Sequence, residues 1–405
     1  MRERLGIGWL AGFATLFYFS EGWPYGIVNE LLPLYLRTEG VSLTQIGFLS
    51  AVRLAWTLKF FWSPLVDSIA SYGRWITGAL AGITIALALF ALVPLVGTPM
   101  FWVVAALLAV SSATQDVAVD AFTIAATEKR WLGIVNSIRV TTYRIAMIVA
   151  GGGLAALADR FGWPASFGTA AAVAAILLVL SILVPTRRRE SGERVGVVSG
   201  LRIWLAQPKA IALLSLALLY KMGDQALNPM VRPFWVDRGF SLTAIGLAIS
   251  TVGVGATIVG AWIAGAAIAR WKIYRSLLVF GVLQIASNIV YAFVAPLRAP
   301  GDAILYGTSI VESLTYGFGT GTFLAFLMAI CDRERAATEF ALLSALFGLS
   351  ASMTGSVSGI LAQRLGYAPY FWITVLLGIP ALLVIPYVRD VLEAKEAEAP
   401  AAMEV

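Results

Sequence analysis

Two aspartates, Asp116 and Asp120, stand four residues apart in the apolar stretch 100–126. On a helix, side chains with this spacing lie on one face. The flanking residues are apolar and numerous enough to place both carboxylates inside a bilayer, where inserting such a group costs about 2.5–3.5 kcal/mol. A carboxylate at that depth can carry a proton, hold a charged solute or pair with a cation, and its cost indicates a functional role.

Charged residues recur in the other apolar stretches. Together with Asp116 and Asp120 they amount to seven acids and six bases. The near balance of sign means that most of this charge can be neutralised by ion pairs. A helix that carries such charge must turn it toward a cavity or a partner. The residues are Glu21, Glu30, Arg53, Lys59, Asp116, Asp120, Arg139, Arg144, Lys221, Asp224, Arg232, Glu312 and Glu339.

The composition indicates an integral membrane protein. Of the 405 residues, 59% are hydrophobic and 13% are charged, whereas a soluble domain has about 25% charged residues; the mean hydropathy is +0.84. Histidine is absent and Cys331 is the single cysteine, which argues against histidine catalysis, Cys/His zinc sites and structural disulfides. We therefore expect no enzyme, no catalytic residue, no metal and no cofactor.

The apolar segments predict an all-α fold with twelve transmembrane helices, because one crossing needs about 20 apolar residues. The helices form two six-helix halves. The predicted spans are 8–36, 43–66, 75–96, 99–126, 131–158, 163–185, 209–236, 241–269, 275–295, 303–330, 336–363 and 367–388.

Loop charge predicts the orientation of the spans. Alternate breaks between them carry 18 basic residues and the other breaks carry 5, and loops rich in Lys and Arg stay in the cytoplasm. Both termini are therefore expected in the cytoplasm of a multi-pass inner-membrane protein. The net charge of +6 does not indicate nucleic-acid binding, because the cations lie in short loops.

A repeat divides the chain into two parts. The segment 40–47, GVSLTQIG, recurs as GFSLTAIG at 239–246, and ADRFGW at 158–163 recurs as AQRLGY at 362–367. The predicted domains are an N-terminal six-helix half at 1–185, a cytoplasmic linker at 186–208, a C-terminal six-helix half at 209–388 and a solvated tail at 389–405. Two six-helix halves are typical of secondary transporters that bind substrate between the halves, near the membrane midplane.

Helix-breaking residues fall beside the charges near the middle of two spans. Glu21-Gly-Trp-Pro-Tyr-Gly26 is predicted to break the first span, and Asn228-Pro229 and Arg232-Pro233 the seventh. Broken helices free backbone carbonyls at binding sites. We expect substrate binding by Tyr25, Arg53, Asp116, Tyr143, Arg144, Lys221, Asn228 and Glu312, and proton coupling by Glu21 and Asp224.

Several charges lie toward the cytoplasmic ends of their spans and predict a network that sets which way the protein faces. Asp120 lies at a depth comparable to Lys59 and Arg139, so the aspartate pair is assigned chiefly to this network, one or two turns from Glu21. The network comprises Lys59, Asp67, Arg74, Asp120, Arg139 and Glu339.

Four blocks resemble the AmpG/acetyl-coenzyme A transporter branch of the major facilitator superfamily, which includes muropeptide permeases and siderophore importers of the RhtX/FptX type. The blocks are 58–67 (LKFFWSPLVD), 112–120 (SATQDVAVD), 143–147 (YRIAM) with the glycines 151–153, and 338–346 (TEFALLSAL). The resemblance covers essentially the whole chain and implies the twelve-helix fold, with spans 1, 4, 7 and 10 lining a cavity.

The resemblance also places particular residues on the branch's motif positions. These are Lys59, Asp67, Gln115, Asp116, Asp120 and Arg144. Asp67 with Gly73-Arg74 is similar to the superfamily's gating motif between spans 2 and 3, although Ser63-Pro64 stands where glycine is usual. Thr142 and Glu339 depart from the usual Gly and Gln, and the substrate does not follow from the fold.

The function expected is proton-coupled import of a large polar or anionic solute by alternating access, in a chain that works as a monomer. No nucleotide-binding signature is present, so an ion gradient must drive any uphill transport. Because histidine is absent, a carboxylate must carry the coupled proton. A muropeptide (an anhydro-muramyl peptide) fits the mixed charge, and a ferric siderophore or a coenzyme A ester is the alternative. A membrane-embedded enzyme, a channel and a non-transporting sensor are the remaining function classes.

Overall fold

The computed structural model describes residues 7–63, 65–66, 71–126, 132–184, 208–330 and 336–398. Within these ranges each of the twelve predicted spans coincides with a helical segment. Seven segments of the described chain pass a test of length and hydropathy for crossing a membrane, the last of them Tyr367–Ala394. The fold is all-α and suited to a membrane, and the count of twelve crossings stays a prediction.

Several of the first six helices are composite. α1 runs through Ile7–Gly26, a π-helical turn Ile27–Leu31 and Leu32–Thr38; α2 through Leu43–Val52, Leu54–Leu58 and a 3-10 turn Lys59–Phe61; α3 is Tyr72–Leu92; α4 is Pro99–Ala126; α5 runs through Leu132–Ile148, a π-helical turn Val149–Gly153 and Leu154–Phe161; α6 is Trp163–Ile182.

The remaining helices continue in the same manner. α7 comprises Ala210–Leu219 and Met222–Asp237; α8 begins with Leu242–Ile245 and the π-helical turn Gly246–Gly253; the long helix Val254–Val294 is interrupted at Lys272 into 254–271, the end of α8, and 273–294, which is α9; α10 is Asp302–Ile330; α11 is Ala336–Leu365; α12 is Tyr367–Val384 with a 3-10 turn Ile385–Val388; α13 is Arg389–Glu398.

The predicted proline breaks are wrong in position. α1 continues through Pro24 and changes only at the π-helical turn Ile27–Leu31 that follows. Helix Met222–Asp237 continues through Pro229 and Pro233, whereas α7 is interrupted at Lys221, whose backbone is non-helical (φ −102°, ψ 5°). Inside a packed membrane bundle, neighbouring groups and local π adjustments satisfy the carbonyls that a proline leaves without a donor, so the helix continues.

Contacts divide the described chain into two compact units. The N-terminal unit contains the described residues of 7–41, 52–184 and 240–250, and the C-terminal unit contains those of 42–51, 208–239 and 251–398. Two short segments, the start of α2 and the start of α8, therefore pack in a unit other than that of the residues around them. The predicted linker 186–208 lies almost wholly outside the described residues, and the division into predicted halves stays a prediction.

The two repeated motifs contact each other in pairs. In the C-terminal unit the Leu43 N–H donates to Gln363 Oε1 at 2.9 Å. In the N-terminal unit Thr243 Oγ1 donates to Asp159 Oδ2 at 2.6 Å. Each copy of the first motif (40–47 and 239–246) thus begins its helix against a copy of the second motif (362–367 and 158–163). The sequence repeat therefore corresponds to an equivalent contact in each unit.

Glycine permits the close helix contacts in both places. A Cβ added to Gly47 would lie 2.9 Å from Gly359 Cα, and one added to Gly246 would lie 3.0 Å from Gly152 Cα. Small residues at helix contacts let backbones approach closely in membrane proteins.

The tail predicted as solvated is partly wrong. Residues Arg389–Glu398 form α13, and Leu392 is 1% exposed in a hydrophobic cluster that includes Leu216, Phe326 and Ile385. An apolar residue flanked by Asp390, Glu393 and Lys395 gives the segment one face that can pack and one that stays in water. Residues 399–405 lie outside the described chain.

α1 lies against α5 at a close approach that also sets the position of Glu21. A Cβ on Gly22 would lie 2.6 Å from the Tyr143 carbonyl oxygen and 3.0 Å from Ala146 Cβ, whereas one on Gly12 of the same helix meets nothing within 4 Å. We expect Gly22→Ala to destabilise the protein by about 1–3 kcal/mol, the usual cost of overpacking. Gly12→Ala is the matched control and should leave thermal stability unchanged or higher. Equal melting temperatures for the two variants in detergent would contradict this packing.

Candidate functional site

The N-terminal unit gathers charged side chains from three helices. Glu21 of α1 is 3% exposed and Asp116 of α4 is 9% exposed. Lys59, at the 3-10 turn that ends the described part of α2, forms an ion pair with Asp116 through Nζ and Oδ2. The indole N–H of Trp62 donates to Thr114 Oγ1 at 3.2 Å. This contact holds the end of α2 beside α4, where Lys59 can reach Asp116.

The carboxyl groups of Glu21 and Asp116 lie close enough to interact. An ionised carboxylate only accepts hydrogen bonds, so a hydrogen bond between two carboxyl groups requires a proton on one of them. Glu21 Oε2 has no hydrogen-bond partner among the described residues. The arrangement is a buried pair of carboxyl groups, which makes it a candidate site for one shared proton.

A second layer of charge lies beside this pair. Arg139 of α5 pairs with Asp120 of α4 at 2.8 Å, the Tyr18 hydroxyl donates to Asp120 at 3.4 Å, and the Arg139 guanidinium lies 5.0 Å from the centre of the Tyr18 ring. These contacts neutralise Asp120, and its role in a network that sets which way the protein faces stays a prediction.

A polar contact between Gln115, which the resemblance places on a motif position, and Ser20, which the sequence did not single out, holds α1 against α4. The Gln115 amide donates to Ser20 Oγ at 2.5 Å, one residue from Glu21 and one from Asp116. In the sequence, Ser20 and Gln115 could have been found because each stands next to one of the two acids. A polar residue inside a membrane needs a polar partner.

An aromatic cluster joins α1, α2 and α5 in the same unit. The Tyr25 ring lies 5.2 Å from Trp56 and 5.8 Å from Tyr143, measured between ring centres. All three are half-buried. Trp56 was not predicted, although it stands three residues after Arg53 and so shares its helix face.

Two arginines in this unit lack an acidic partner within the described chain. Arg53, at the junction between the first two segments of α2, and Arg144 of α5 are half-buried. Neither takes part in an ion pair with a described residue. A cation without a counter-charge in a partly dry environment is a candidate for binding an anion.

In the C-terminal unit, Lys221 and Asp224 form a buried ion pair. Lys221 Nζ lies 2.5 Å from Asp224 Oδ2 and 2.8 Å from Gln284 Oε1, and 3.9 Å from the centre of the Tyr316 ring. Lys221 is 1% exposed. The ammonium is thus satisfied within the protein by a carboxylate, an amide oxygen and an aromatic face.

The other predicted binding residues of this unit lie farther along α7 and on α10. Glu312 is half-buried, accepts from Ser313 Oγ at 3.2 Å and interacts electrostatically with the buried Arg232. Asn228 is half-buried in helix Met222–Asp237.

Of the remaining predicted network residues, Arg74 is the one whose side chain the structure describes. Arg74, in the first turn of α3, is exposed. Asp67 and the side chain of Glu339 lie outside the described residues. Among the residues that the structure describes, no group of His, Cys, Asp and Glu side chains has the arrangement of a metal site.

A match to a family model shows which proteins this chain is related to. The model of the Major Facilitator Superfamily matches residues 14–297 and 213–404. The chain belongs to the major facilitator superfamily. Its AmpG-like branch is supported by named relatives, and the chain is a secondary transporter with multiple membrane passes.

The named relatives match nearly the whole chain. The anhydromuropeptide permease of Escherichia coli (strain K12) is 31% identical over 392 residues, which cover 93% of this chain and 79% of that protein. A Rickettsia conorii (strain ATCC VR-613 / Malish 7) protein named as transporter AmpG 4 is 26% identical, with 91% of this chain and 94% of that protein covered.

Solved structures support the fold independently. The nucleoside transporter NupG superposes with a TM-score of 0.76 at 15% identity, over 94% of this chain and 98% of that chain. A bacterial homologue of the human lysosomal transporter Spinster superposes with a TM-score of 0.75 at 14% identity, over 96% and 98% of the two chains. At these identities the likeness concerns the fold alone.

The ion pair of the C-terminal unit gives a test by paired substitution. Lys221→Met leaves the Asp224 carboxylate buried without its cation, which costs about 3–5 kcal/mol of stability for a broken buried pair. The double variant Lys221→Met/Asp224→Asn removes both charges, so we expect it to regain at least half of that loss. Thermal unfolding of the purified proteins in detergent measures this. If the double variant were as unstable as the sum of the two single variants, the pair would not be coupled.

Proposed function

We propose that the chain imports a large, polar or anionic solute together with protons by alternating access, and that an anhydro-muramyl peptide is its substrate. The likeness to a permease named for anhydromuropeptides supports the substrate. The observation that carries the proton-coupled mechanism is the buried pair of interacting carboxyl groups, Glu21 and Asp116, in which Glu21 Oε2 has no described hydrogen-bond partner. We infer that the two groups share one proton.

The charge of the cluster explains how a proton can control transport. With one shared proton, Glu21 and Asp116 together carry one negative charge, which Lys59 neutralises. Without that proton the same three side chains carry a net charge of −1 in a dry site. Because an uncompensated charge inside a membrane is costly, the cluster keeps its buried arrangement only when protonated, and loss of the proton drives it open toward water.

Glu21 and Asp116 suit this role better than Asp224 does. Asp224 lies 2.5 Å from the Lys221 ammonium, so adding a proton to Asp224 would leave that ammonium buried without its counter-charge. The pair in the C-terminal unit is therefore assigned a structural role, and proton binding is assigned to the N-terminal unit.

The two unpaired arginines give the solute its binding site. Arg53 and Arg144 supply positive charge without a described acidic partner, and Tyr25, Trp56 and Tyr143 supply half-buried aromatic surface in the same unit. A solute with carboxylates and with apolar ring or chain surface fits this combination. Ferric siderophores and coenzyme A esters share these features and are the second candidates.

The proposal includes the placement of the protein. An excess of Lys and Arg in alternate loops orients both termini toward the cytoplasm of the inner membrane. Inward flow of protons then drives the solute into the cytoplasm. We take the monomer as the working unit, because each chain supplies both charged clusters.

Substitution of Glu21 tests the proton coupling. In proteoliposomes with an alkaline interior, the unaltered protein should accumulate labelled anhydro-muramyl peptide. Glu21→Gln keeps the hydrogen bond to Asp116 but cannot release the proton, so accumulation should fall to the level of empty liposomes while solute counterflow persists.

The control for this experiment is Asp302→Asn, which changes an exposed acid in the first turn of α10 and should behave as the unaltered protein. Gradient-driven accumulation by Glu21→Gln would remove Glu21 from the coupling role. If the unaltered protein moves a ferric siderophore or a coenzyme A ester but no muropeptide, the substrate assignment is wrong and the coupling assignment stands.

A further inference from the structure

A cavity of about 730 Å³ lies on the C-terminal unit, between the first turns of α7 and the last turns of α12. Its volume is within the range of about 300–1,000 Å³ that is usual for small-molecule sites. The cavity is separate from the Lys221–Asp224 pair and from every residue to which a transport role is assigned.

The walls of this cavity are apolar and open. Ile211 is 78% exposed, Leu383 is 74% exposed and Tyr387 is 63% exposed. All three belong to segments that are long and apolar enough to cross the membrane, Ala210–Asp237 and Tyr367–Ala394. Exposed side chains of this kind on such segments meet acyl chains, so the open side of the cavity faces lipid.

Lys209 lines one end of the cavity, and its ion-pair partner Asp390 brings a negative charge beside that end. Lys209 Nζ donates to Asp390 Oδ1 at 2.6 Å and to the Tyr387 carbonyl oxygen at 2.7 Å, and lies 4.6 Å from the centre of the Tyr387 ring. The Lys209 side chain remains 28% exposed and that of Asp390 68% exposed. Both charged groups can therefore take a further partner from outside the protein.

The backbone of Lys209 is unusual and serves this contact. Lys209 precedes the first residue of α7 in a left-handed conformation (φ 56°, ψ 25°), which residues with a Cβ adopt at a cost. Lys272 is the other non-glycine residue with positive φ in the described chain. It lies between α8 and α9 with φ 66° and ψ 170° and does not line the cavity, so it offers a lysine with positive φ outside the site.

We propose that this cavity is a binding site for a phospholipid whose headgroup carries a primary amine, of the phosphatidylethanolamine type. The acyl chains lie along Ile211 and Leu383. The phosphate accepts from the Lys209 ammonium, and the headgroup ammonium donates to the Asp390 carboxylate.

The charges favour this lipid over the other common headgroups. An anionic headgroup without an amine would bring its phosphate to Lys209 but would leave Asp390 facing a like charge. A choline headgroup has the positive charge but no N–H to donate. A primary amine satisfies the carboxylate by a charge-assisted hydrogen bond, which is about twice as strong as a neutral one.

The test compares Lys209→Asn with Lys272→Asn. Asparagine tolerates the left-handed conformation of Lys209, so Lys209→Asn removes an ammonium at little backbone cost. Lys272→Asn removes an ammonium that does not line the cavity. The purified, delipidated proteins are titrated with short-chain phosphatidylethanolamine, phosphatidylglycerol or phosphatidylcholine. Bound lipid is counted by native mass spectrometry and the shift of the melting temperature is recorded, because a ligand of the folded state raises it.

We expect phosphatidylethanolamine to bind and to raise the melting temperature of the unaltered protein and of Lys272→Asn. Its affinity for Lys209→Asn should be at least tenfold weaker. Asp390→Asn, which keeps the ammonium and the walls, should bind phosphatidylethanolamine no better than phosphatidylcholine.

Three outcomes would overturn the proposal. They are equal affinity of Lys209→Asn and Lys272→Asn for phosphatidylethanolamine, a preference of the unaltered protein for phosphatidylglycerol, and retention of the amine preference by Asp390→Asn. The measurement needs no transport substrate, so its result is independent of the proposed function.

Discussion

The cost of an unpaired charge in a medium of low polarity is the constraint on which this structure depends. Every deeply buried charge described above has a counter-charge or a polar partner close to it. Lys221 meets a carboxylate, an amide oxygen and an aromatic ring, and Asp120 meets Arg139 and Tyr18. Glu21 forms no ion pair with a described cation and lies close to another acid, Asp116. The proton that we propose these two acids share would remove their mutual repulsion.

The two units meet this constraint differently. In the C-terminal unit Lys221 and Asp224 cancel each other at 2.5 Å, and nothing in that pair calls for a mobile ion. In the N-terminal unit one cation, Lys59, serves two acids, while Arg53 and Arg144 lack described acidic partners. An acid in excess at one place and cations in excess at another are what a transporter of protons and an anionic solute requires.

The sequence predicted the features that depend on hydropathy and on local pattern. Within the described residues each predicted span coincides with a helical segment. The repeats at 40–47 and 239–246 begin helices against equivalent partners, Gln363 and Asp159. It did not predict how prolines behave, because a helix in a bundle keeps its course when neighbours satisfy the freed carbonyl. Nor did it predict α13, in which Leu392 is buried by tertiary packing. The contact of Glu21 with Asp116 was also missed: residue number gives depth to within a turn, whereas contact depends on the rotation and close approach of α1 and α4.

The central claim is that one proton shared by Glu21 and Asp116 moves with each cycle of solute entry. The most direct measurement adds anhydro-muramyl peptide to lightly buffered proteoliposomes that hold no ion gradient, while a pH electrode follows the outer medium. The account predicts a transient alkaline shift as the solute carries protons inward, abolished by a protonophore and absent in Glu21→Gln. Entry of labelled solute without any change of external pH would contradict it.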